Sequence, residues 1–444
     1  MKILPWPIQG VTSHVPSHLP MIALLALALA TAGATLSAAA QAPPSANTTA
    51  TTTASLSLRQ AYEAALARLP EARSAPQRRS AAAAHERAAQ AWTPEPPAFE
   101  SGVKTDRIGS NRGSREWVAG VAVPLWLPGQ RDAARSLAQA EAAAVDDRLG
   151  AAAWRVAGEL REAWWSVQAA QVELDLGRTK LTNAQRLAAD VSHRVRAGDL
   201  ARADQHQADG AVAAAQVELS TAQRSQVQTW SSLRRLAGPL PRAELEATPE
   251  PLPADPASTP TSTTVSTAAH PALRDLAAQA EIARRHMAQA RLQRRAAPEV
   301  ALSMARDRGA AGEAYGQSIS IALRIPFGAD DRQQARLASA GAELTEAETR
   351  LAAERERIEA DMAFARERLA LARSMADASE RRATLARESL GFLDKAFRLG
   401  EIDLPARLRI ALEAMEAERQ NARARIEVAQ AISQWRQALG LSPV

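Results

Sequence analysis

The 444-residue chain contains no cysteine. This absence excludes a disulfide framework, a thiolate metal site, a cysteine nucleophile and a lipid anchor attached through cysteine. Aromatic residues make up only 4% of the chain, and glycine is scarce. Alanine, arginine, glutamate and glutamine are abundant instead, a composition typical of long helices and coiled coils.

Catalytic motifs are also missing from the sequence. It has no G-x-S-x-G, no H-E-x-x-H, no phosphate-binding loop and no cluster of cysteine and histidine. His193 and His206 flank one predicted turn, but two histidines without a third ligand do not predict a metal site. We therefore expect no enzymatic activity, no catalytic residue, no cofactor and no bound metal.

The net charge of +5 is distributed along the predicted helices rather than gathered in one patch. Arginine alternates with glutamate, as in E-R-E-R-I-E at Glu354–Glu359, a pattern typical of a solvated helix face. We therefore expect no binding to nucleic acid.

Long hydrophobic runs are absent except near the N-terminus, where Met21–Ala34 is almost wholly apolar. Small residues ending in Ala40-Gln41-Ala42 follow it and resemble an export cleavage site. This pattern predicts a signal peptide over residues 1–42, with a retained membrane anchor as the alternative. The Pro/Thr/Ala-rich residues 43–57 are predicted to form a flexible segment.

The remaining sequence contains an internal duplication. An offset of 202 residues carries Pro124 onto Pro326 and Gly198 onto Gly400. The order of helix, alternating apolar stretch, long helix, R-x-G turn and helix is the same in both copies. We predict a first repeat over residues 58–238, a Pro/Thr-rich linker over 239–267 and a second repeat over 268–444.

Each repeat contains one predicted β-hairpin. Ser318–Ile325 alternates strictly between apolar and small or polar residues, which indicates a strand with one face of each kind. The strands have roughly ten residues, the length of tilted strands that cross a bilayer. The residues predicted to face lipid are Trp117, Val121, Val123, Ile319, Ile321 and Leu323. An ordinary soluble hairpin packed on a helix is the alternative.

Apolar residues repeat every seven positions after each hairpin, for example at Leu160, Val167 and Leu174. Strict heptads indicate helices that wind around one another. The uninterrupted helix predicted over Arg131–Ala197 would be ~100 Å long. Helices of that length span a distance rather than fill a globular core.

Export, two hairpins, very long helices and duplication together resemble the TolC-like outer membrane efflux family. The resemblance covers about Leu58–Leu441. The segments P-L-W-L-P-G-Q-R and P-F-G-A-D-D-R resemble the strand-to-helix junctions of the family, and R-A-G-D-L and R-L-G-E-I-D-L resemble its periplasmic turns. The compact length is similar to that of the heavy-metal branch, of cobalt–zinc–cadmium type.

The resemblance implies a mainly α fold with a small β part. Three chains would form a helical barrel continuous with an outer-membrane β-barrel, each chain supplying four of twelve strands. A trimer is also physically required, because four strands alone would leave unpaired edges in lipid. The implied location is the outer membrane of a Gram-negative bacterium, with a large periplasmic part.

The function implied is that of a passive exit duct in a tripartite efflux system. Its partners would be two further copies of the chain, a periplasmic adaptor (membrane fusion) protein, an inner-membrane pump of the RND type and outer membrane lipid. A periplasmic coiled-coil adaptor or a structural protein is the alternative. Adaptors have one helical hairpin, whereas this sequence predicts two.

The two R-x-G turns are the candidate sites for the adaptor and for the pore gate. The predicted contact residues are Arg196, Gly198, Asp199, Leu200, Arg398, Gly400, Glu401 and Asp403. In a trimer, Asp199, Asp204 and Asp403 would each form a ring of three carboxylates, an arrangement that favours cations. Helix capping by Asp199 and Asp403 is the alternative role.

Overall fold

The computed structural model describes residues 55–240, 245–253, 269–293, 296–327 and 331–444. The predicted signal peptide, residues 43–54 of the predicted flexible segment, and residues 241–244 and 254–267 of the predicted linker lie outside the described residues. Residues 53–444 belong to one compact unit.

Both repeats contain a helix, a β-hairpin and two long helices in the same order, and the first repeat has one additional short helix at its start. The first contains α1 Leu58–Leu66, α2 Pro70–Gln90, β1 Ala98–Thr105, β2 Arg115–Pro124, α3 Gln130–Ala197 and α4 Arg202–Ala237. The second contains α5 Pro271–Leu292, β3 Glu299–Arg308, β4 Gly316–Arg324, α6 Asp331–Leu399 and α7 Leu404–Ala438. The structure thus confirms the predicted strands within a few residues and the predicted long helix within one.

The helical stretch that opens the first repeat is not continuous. It is divided between α1 and α2, because Pro70 supplies no backbone N–H and disfavours helical backbone at the residue before it. Leu69 accordingly has φ −58° and ψ 128°. Ser57 caps α1, its Oγ accepting from the Gln60 amide at 3.2 Å.

The four strands form one antiparallel sheet in the order β1-β2-β3-β4. The two hairpins are therefore neighbours, joined where β2 pairs with β3, and Val121 lies opposite Leu302. All four strands run between the loops at one end of the sheet and the connections to the helices at the other. The strands β1 and β4 are the two edges of this sheet.

The long helices pack through small residues spaced every seven positions. Leu160, Val167 and Leu174 of α3 are buried, which places the predicted heptad inside the helix packing. Buried alanines with the same spacing occur at Ala208, Ala215 and Ala222 in α4, and at Ala417, Ala424 and Ala431 in α7. Where a large side chain of one helix packs against an alanine of its neighbour, the two helices can approach closely.

The residues beside the predicted repeat boundaries are part of this packing. Leu56 forms a parallel bridge with Leu245 and is buried in the core that contains Trp164 and Leu233. The prediction of flexibility up to residue 57 was therefore wrong for Leu56 and Ser57. No helix among the described residues has both the length and the apolarity needed to cross a bilayer.

Candidate functional sites at the helical tips and the sheet

The first tip joins α3 to α4 through a glycine in left-handed conformation. Gly198 has φ 87°. Its amide donates to the Val195 carbonyl at 3.1 Å, and the Asp199 amide donates to the Arg194 carbonyl at 2.9 Å. This pair of bonds is a Schellman motif, which satisfies the last carbonyls of the helix.

The second tip joins α6 to α7 and repeats this geometry. Gly400 has φ 82°. Its amide donates to Phe397 at 3.1 Å, and the Glu401 amide donates to Ala396 at 3.0 Å. A Cβ added at Gly198 or Gly400 would meet no atom within 4 Å, so only the backbone conformation requires glycine at these positions.

The helices that leave the two tips are capped by different carboxylates. At the second tip, Asp403 Oδ1 accepts from the Ala406 amide at 2.9 Å, as an N-cap does. At the first tip, Asp204 Oδ2 reaches back to the Ala201 amide at 3.0 Å. Asp199 is exposed, and its side chain forms no hydrogen bond with the described residues, so the structure does not support the alternative role of Asp199 as a helix cap.

The two tips share one apolar core. Leu187 and Val191 of α3 pack with Phe397 of α6 and Leu404 of α7, and Leu200 and Ile402 lie at the edge of this cluster. The guanidiniums of Arg194 and Arg407 each lie 5.0 Å from the centre of the Phe397 ring. The sequence places the two tips at equivalent positions in the repeats, but their packing against each other is visible only in the tertiary structure.

The remaining predicted tip residues are exposed around this core. Arg196 Nε donates to the Ser192 carbonyl at 3.3 Å, and Arg398 lies 3.6 Å from Asp394. Asp394 also binds Arg407 at 2.8 Å. His193 and His206 are both exposed. The described part of the chain has no group of three metal-ligating side chains.

The residues predicted to face lipid lie on a single face of the sheet. Val121 pairs with Phe99 and Leu302, Leu302 pairs with Ile321, and paired residues of antiparallel strands share a face. The full apolar set on this face comprises Phe99, Val103, Trp117, Ala119, Val121, Val123, Val300, Leu302, Met304, Ile319, Ile321 and Leu323. The opposite face carries small and polar residues.

Solvent exposure also alternates between the two faces of the sheet. In a water-soluble sheet the apolar face is the buried one, whereas here the apolar face is the more exposed. The side chains of Ile319 and Ile321 are 75% and 77% exposed in the single chain. On β3, the apolar-face residues Leu302 and Met304 are exposed, whereas their polar-face neighbour Ser303 is half-buried. Ser303 and Ser320 bond each other through their hydroxyls at 2.7 Å.

A buried ion-pair network that the sequence did not predict joins both repeats to the segment between them. Glu250 accepts two bonds of 2.9 Å from Arg161 of α3 and one of 2.6 Å from Ser433 of α7. Arg436 lies 3.2 Å from the same carboxylate. Arg161 and Glu250 are 3% and 2% exposed. A carboxylate in a Pro-rich stretch is too common a pattern to predict this network.

The N-terminus of α5 is capped by a buried histidine in the segment H-P-A-L. His270 Nδ1 accepts from the Ala272 amide at 3.3 Å, while Nε2 has no partner among the described residues. Trp154 contacts the imidazole edge-on, with ring centres 4.8 Å apart. Burial lowers the pKa of His270 to about 4, because a charged imidazole would lose its hydration.

The first repeat of the chain matches a known protein family. Residues 61–239 match the family model described as outer membrane efflux protein. Over this part, which is less than half of the chain, the protein is similar to outer membrane efflux proteins. No curated protein sequence matches the chain.

Three solved structures have a fold similar to that of this chain. A membrane protein from Pseudomonas aeruginosa has a TM-score of 0.71 at 19% identity, over 87% of this chain and 90% of its own. For VceC from Vibrio cholerae the score is 0.69 at 16% identity, over 87% and 97% of the chains. For the MtrE channel from Neisseria gonorrhoeae the score is 0.68 at 17% identity, over 86% and 89%.

The family match and the solved structures together confirm the main predictions made from the sequence. The protein is an outer membrane efflux channel with a large periplasmic helical part, and outer membrane efflux channels are passive channels rather than enzymes. Channels of this family work as trimers with adaptor proteins and inner-membrane pumps. The periplasmic adaptor or structural protein is not favoured. The heavy-metal branch, the repeat boundaries and the tip and lipid-face roles stay predictions.

Proposed function

We propose that three copies of this chain form the exit duct of a tripartite efflux system. Substrate would pass without chemical change from an inner-membrane pump of the RND type, through a periplasmic adaptor, to the exterior. The observation that carries the proposal is the sheet, which has one apolar, exposed face and two free edges, β1 and β4.

Closure of the sheet explains why three copies are needed. A lone four-stranded sheet would leave one row of backbone groups unpaired on each edge, and the bilayer core offers no water to satisfy them. Pairing β4 of one copy with β1 of the next removes both edges. Three copies would give twelve strands, within the range of membrane barrels. The apolar face would then meet lipid, and the face containing Ser303 and Ser320 would line the lumen.

The helical tips would contact the adaptor at the periplasmic end. Their glycine turns lie at the end of the long helices far from the sheet, and exposed residues surround their shared core. Arg196, Asp199, Arg398 and Glu401 project both signs of charge there. The carboxylates of Asp199, Asp204 and Asp403, repeated three times, would form the acidic rings of a cation-favouring constriction.

Mass measurement and bilayer recording test the duct. The mature protein should require detergent for extraction, have the mass of three chains and conduct ions in a planar bilayer. A monomer that is soluble without detergent would overturn the proposal.

Crosslinking in cells tests the adaptor contact separately. A photoreactive residue in place of Glu401 should crosslink to the adaptor, whereas one in place of Glu313, in the hairpin loop at the other end, should not. Equal crosslinking at both positions would contradict docking at the tips while leaving the duct intact.

A further inference from the structure

Three arginines lie on the apolar face of the sheet, all at its loop end. Arg115 pairs with Arg308, and Trp117 pairs with Arg306, so these side chains share the face that contains Val121 and Ile321. On β2, Arg115 is the residue of this face next to Trp117 on the loop side, and on β3 Arg306 and Arg308 are the two that follow Met304 toward the loop. They are the only charged residues that the four strands place on this face.

The guanidiniums of Arg306 and Arg308 are held by contacts that leave their charge uncompensated. Arg306 and Arg308 lie 4.8 Å and 5.1 Å from the centre of the Tyr315 ring, one residue before β4. Arg308 also donates from Nε to the Gly113 carbonyl at 3.1 Å. Within the described part of the chain, none of the three arginines forms an ion pair with a carboxylate. Cation–π contacts orient a guanidinium but do not neutralise it.

The positively charged residues on the opposite face of the sheet, in contrast, lie close to carboxylates. On the opposite face, Lys104 lies 3.8 Å from Glu116, and Arg324 lies 3.6 Å from Glu299. At the helix end of the apolar face the strands carry Val123, Val300 and Leu323 instead of charges. Unpaired positive charge is thus confined to one face and one end.

That end lies at the outer surface of the membrane. The strands connect to the helices at the other end, and the helical part of this efflux protein is periplasmic. A face that is apolar along its length and cationic at its outer edge complements a lipid with acyl chains and an anionic headgroup. Arginine binds phosphate with two parallel hydrogen bonds, and aromatic residues favour the same depth.

We propose that Arg115, Arg306 and Arg308, the last two oriented by Tyr315, bind the phosphate groups of anionic lipid in the outer leaflet. The proposal rests on the duct function, since it needs the apolar face to meet lipid. In a trimer the site would occur three times around the barrel. It would fix the depth of the channel in the membrane and supply a lipid-specific contact that the apolar band alone cannot give.

Native mass spectrometry of the full-length trimer tests the proposal, with lipid A as the probe. The wild type should retain phosphorylated lipid A about tenfold more than enzymatically dephosphorylated lipid A. The triple variant Arg115→Gln, Arg306→Gln, Arg308→Gln should lose this preference. Arg324→Gln, which removes an exposed arginine from the opposite face, should keep it. Equal retention of the two lipids by the wild type would overturn the proposal.

A lysine variant and a competition with inorganic phosphate serve as controls. A triple lysine variant at the same positions should retain part of the preference, because it keeps the charge but loses the paired hydrogen bonds. Loss as complete as in the glutamine variant would contradict phosphate binding through charge. Inorganic phosphate at the lipid concentration should not displace lipid A, and displacement would show a free-anion site instead.

Conductance separates this proposal from the duct function. If the wild type inserts and conducts but does not distinguish the two lipids, only the lipid site is wrong. If the wild type neither inserts nor conducts, the duct function fails as well.

Discussion

The guanidinium of Arg194 lies 5.0 Å from the centre of the Phe397 ring. Arg194 belongs to the last turn of α3 and Phe397 to the last turn of α6, so this contact joins the tips of the two repeats. Phe397 is only 3% exposed and also contacts Arg407. The tips therefore form one packed unit, and a distortion of one turn acts on the other.

Valine at both tip glycines should impair export without preventing trimer formation. Gly198→Val with Gly400→Val forces a β-branched residue into left-handed backbone, which costs roughly 1–2 kcal/mol at each site. Efflux should fall in a substrate-susceptibility assay, while the mass in detergent stays that of a trimer. Asparagine at the same positions tolerates this conformation and should preserve efflux. Unchanged efflux in the valine variant would count against adaptor docking at the tips.

Neutralising the tip carboxylates should change conduction without loosening the helices. Asp199→Asn with Asp403→Asn removes two charges, and asparagine still caps a helix. Cation selectivity should weaken in bilayer recordings, more at low salt, because exposed charge is screened over ~10 Å at 0.1 M. If neither conductance nor selectivity changes at low salt, Asp403 serves only as a cap and the gate lies elsewhere.

Arginine on the apolar face of the sheet should block assembly. Ile321→Arg places a cation near the middle of the bilayer, which costs roughly 2–4 kcal/mol in membrane barrels. Ser320→Arg, one residue earlier on the opposite face, should be tolerated, because that side chain would project into the lumen. Trimer yield in outer membrane fractions measures both effects. Similar yields would show that the faces are assigned wrongly.

Removal of the Glu250 charge should destabilise the protein strongly. Glu250→Gln leaves Arg161 and Arg436 without their buried counter-charge, and breaking such a pair typically costs about 3–5 kcal/mol. The midpoint of thermal unfolding in detergent should fall. Glu246→Gln removes an exposed carboxylate four residues earlier and should change the midpoint little. A similar midpoint for both variants would show that the network is not stabilising.

His270 should make stability fall between about pH 6.5 and pH 4. The folded protein keeps this imidazole neutral down to about pH 4, whereas the unfolded chain takes up the proton near 6.5. Stability from His270 is therefore present above pH 6.5 and is lost as the pH falls to about 4, by roughly 3 kcal/mol.

The variant His270→Asn tests this pH dependence. Asparagine can cap α5 but does not titrate. Unfolding midpoints between pH 7.5 and 4.5 should decline less in this variant than in the wild type. The exposed His286→Asn serves as a control and should decline as the wild type does. Parallel curves for all three proteins would contradict the role of His270.

The sequence by itself determined the features that depend on local or periodic patterns. Alternation identified the apolar face around Ile321, and glycine in R-x-G identified the turns at Gly198 and Gly400. Strict heptads placed Leu160, Val167 and Leu174 inside the helix packing. Each of these follows from a residue's own backbone preference or from the geometry of one helix or strand.

Only the tertiary structure decided which distant residues meet. Glu250 lies 89 residues from Arg161 and 183 from Ser433, and Arg194 meets Phe397 across the repeats. The contact of His270 with Trp154 also became visible only in the tertiary structure. So did the cluster of arginines at the loop end of the apolar face, which the pairing of β2 with β3 brings together. Such contacts depend on strand register and helix packing, which no spacing along a single chain specifies.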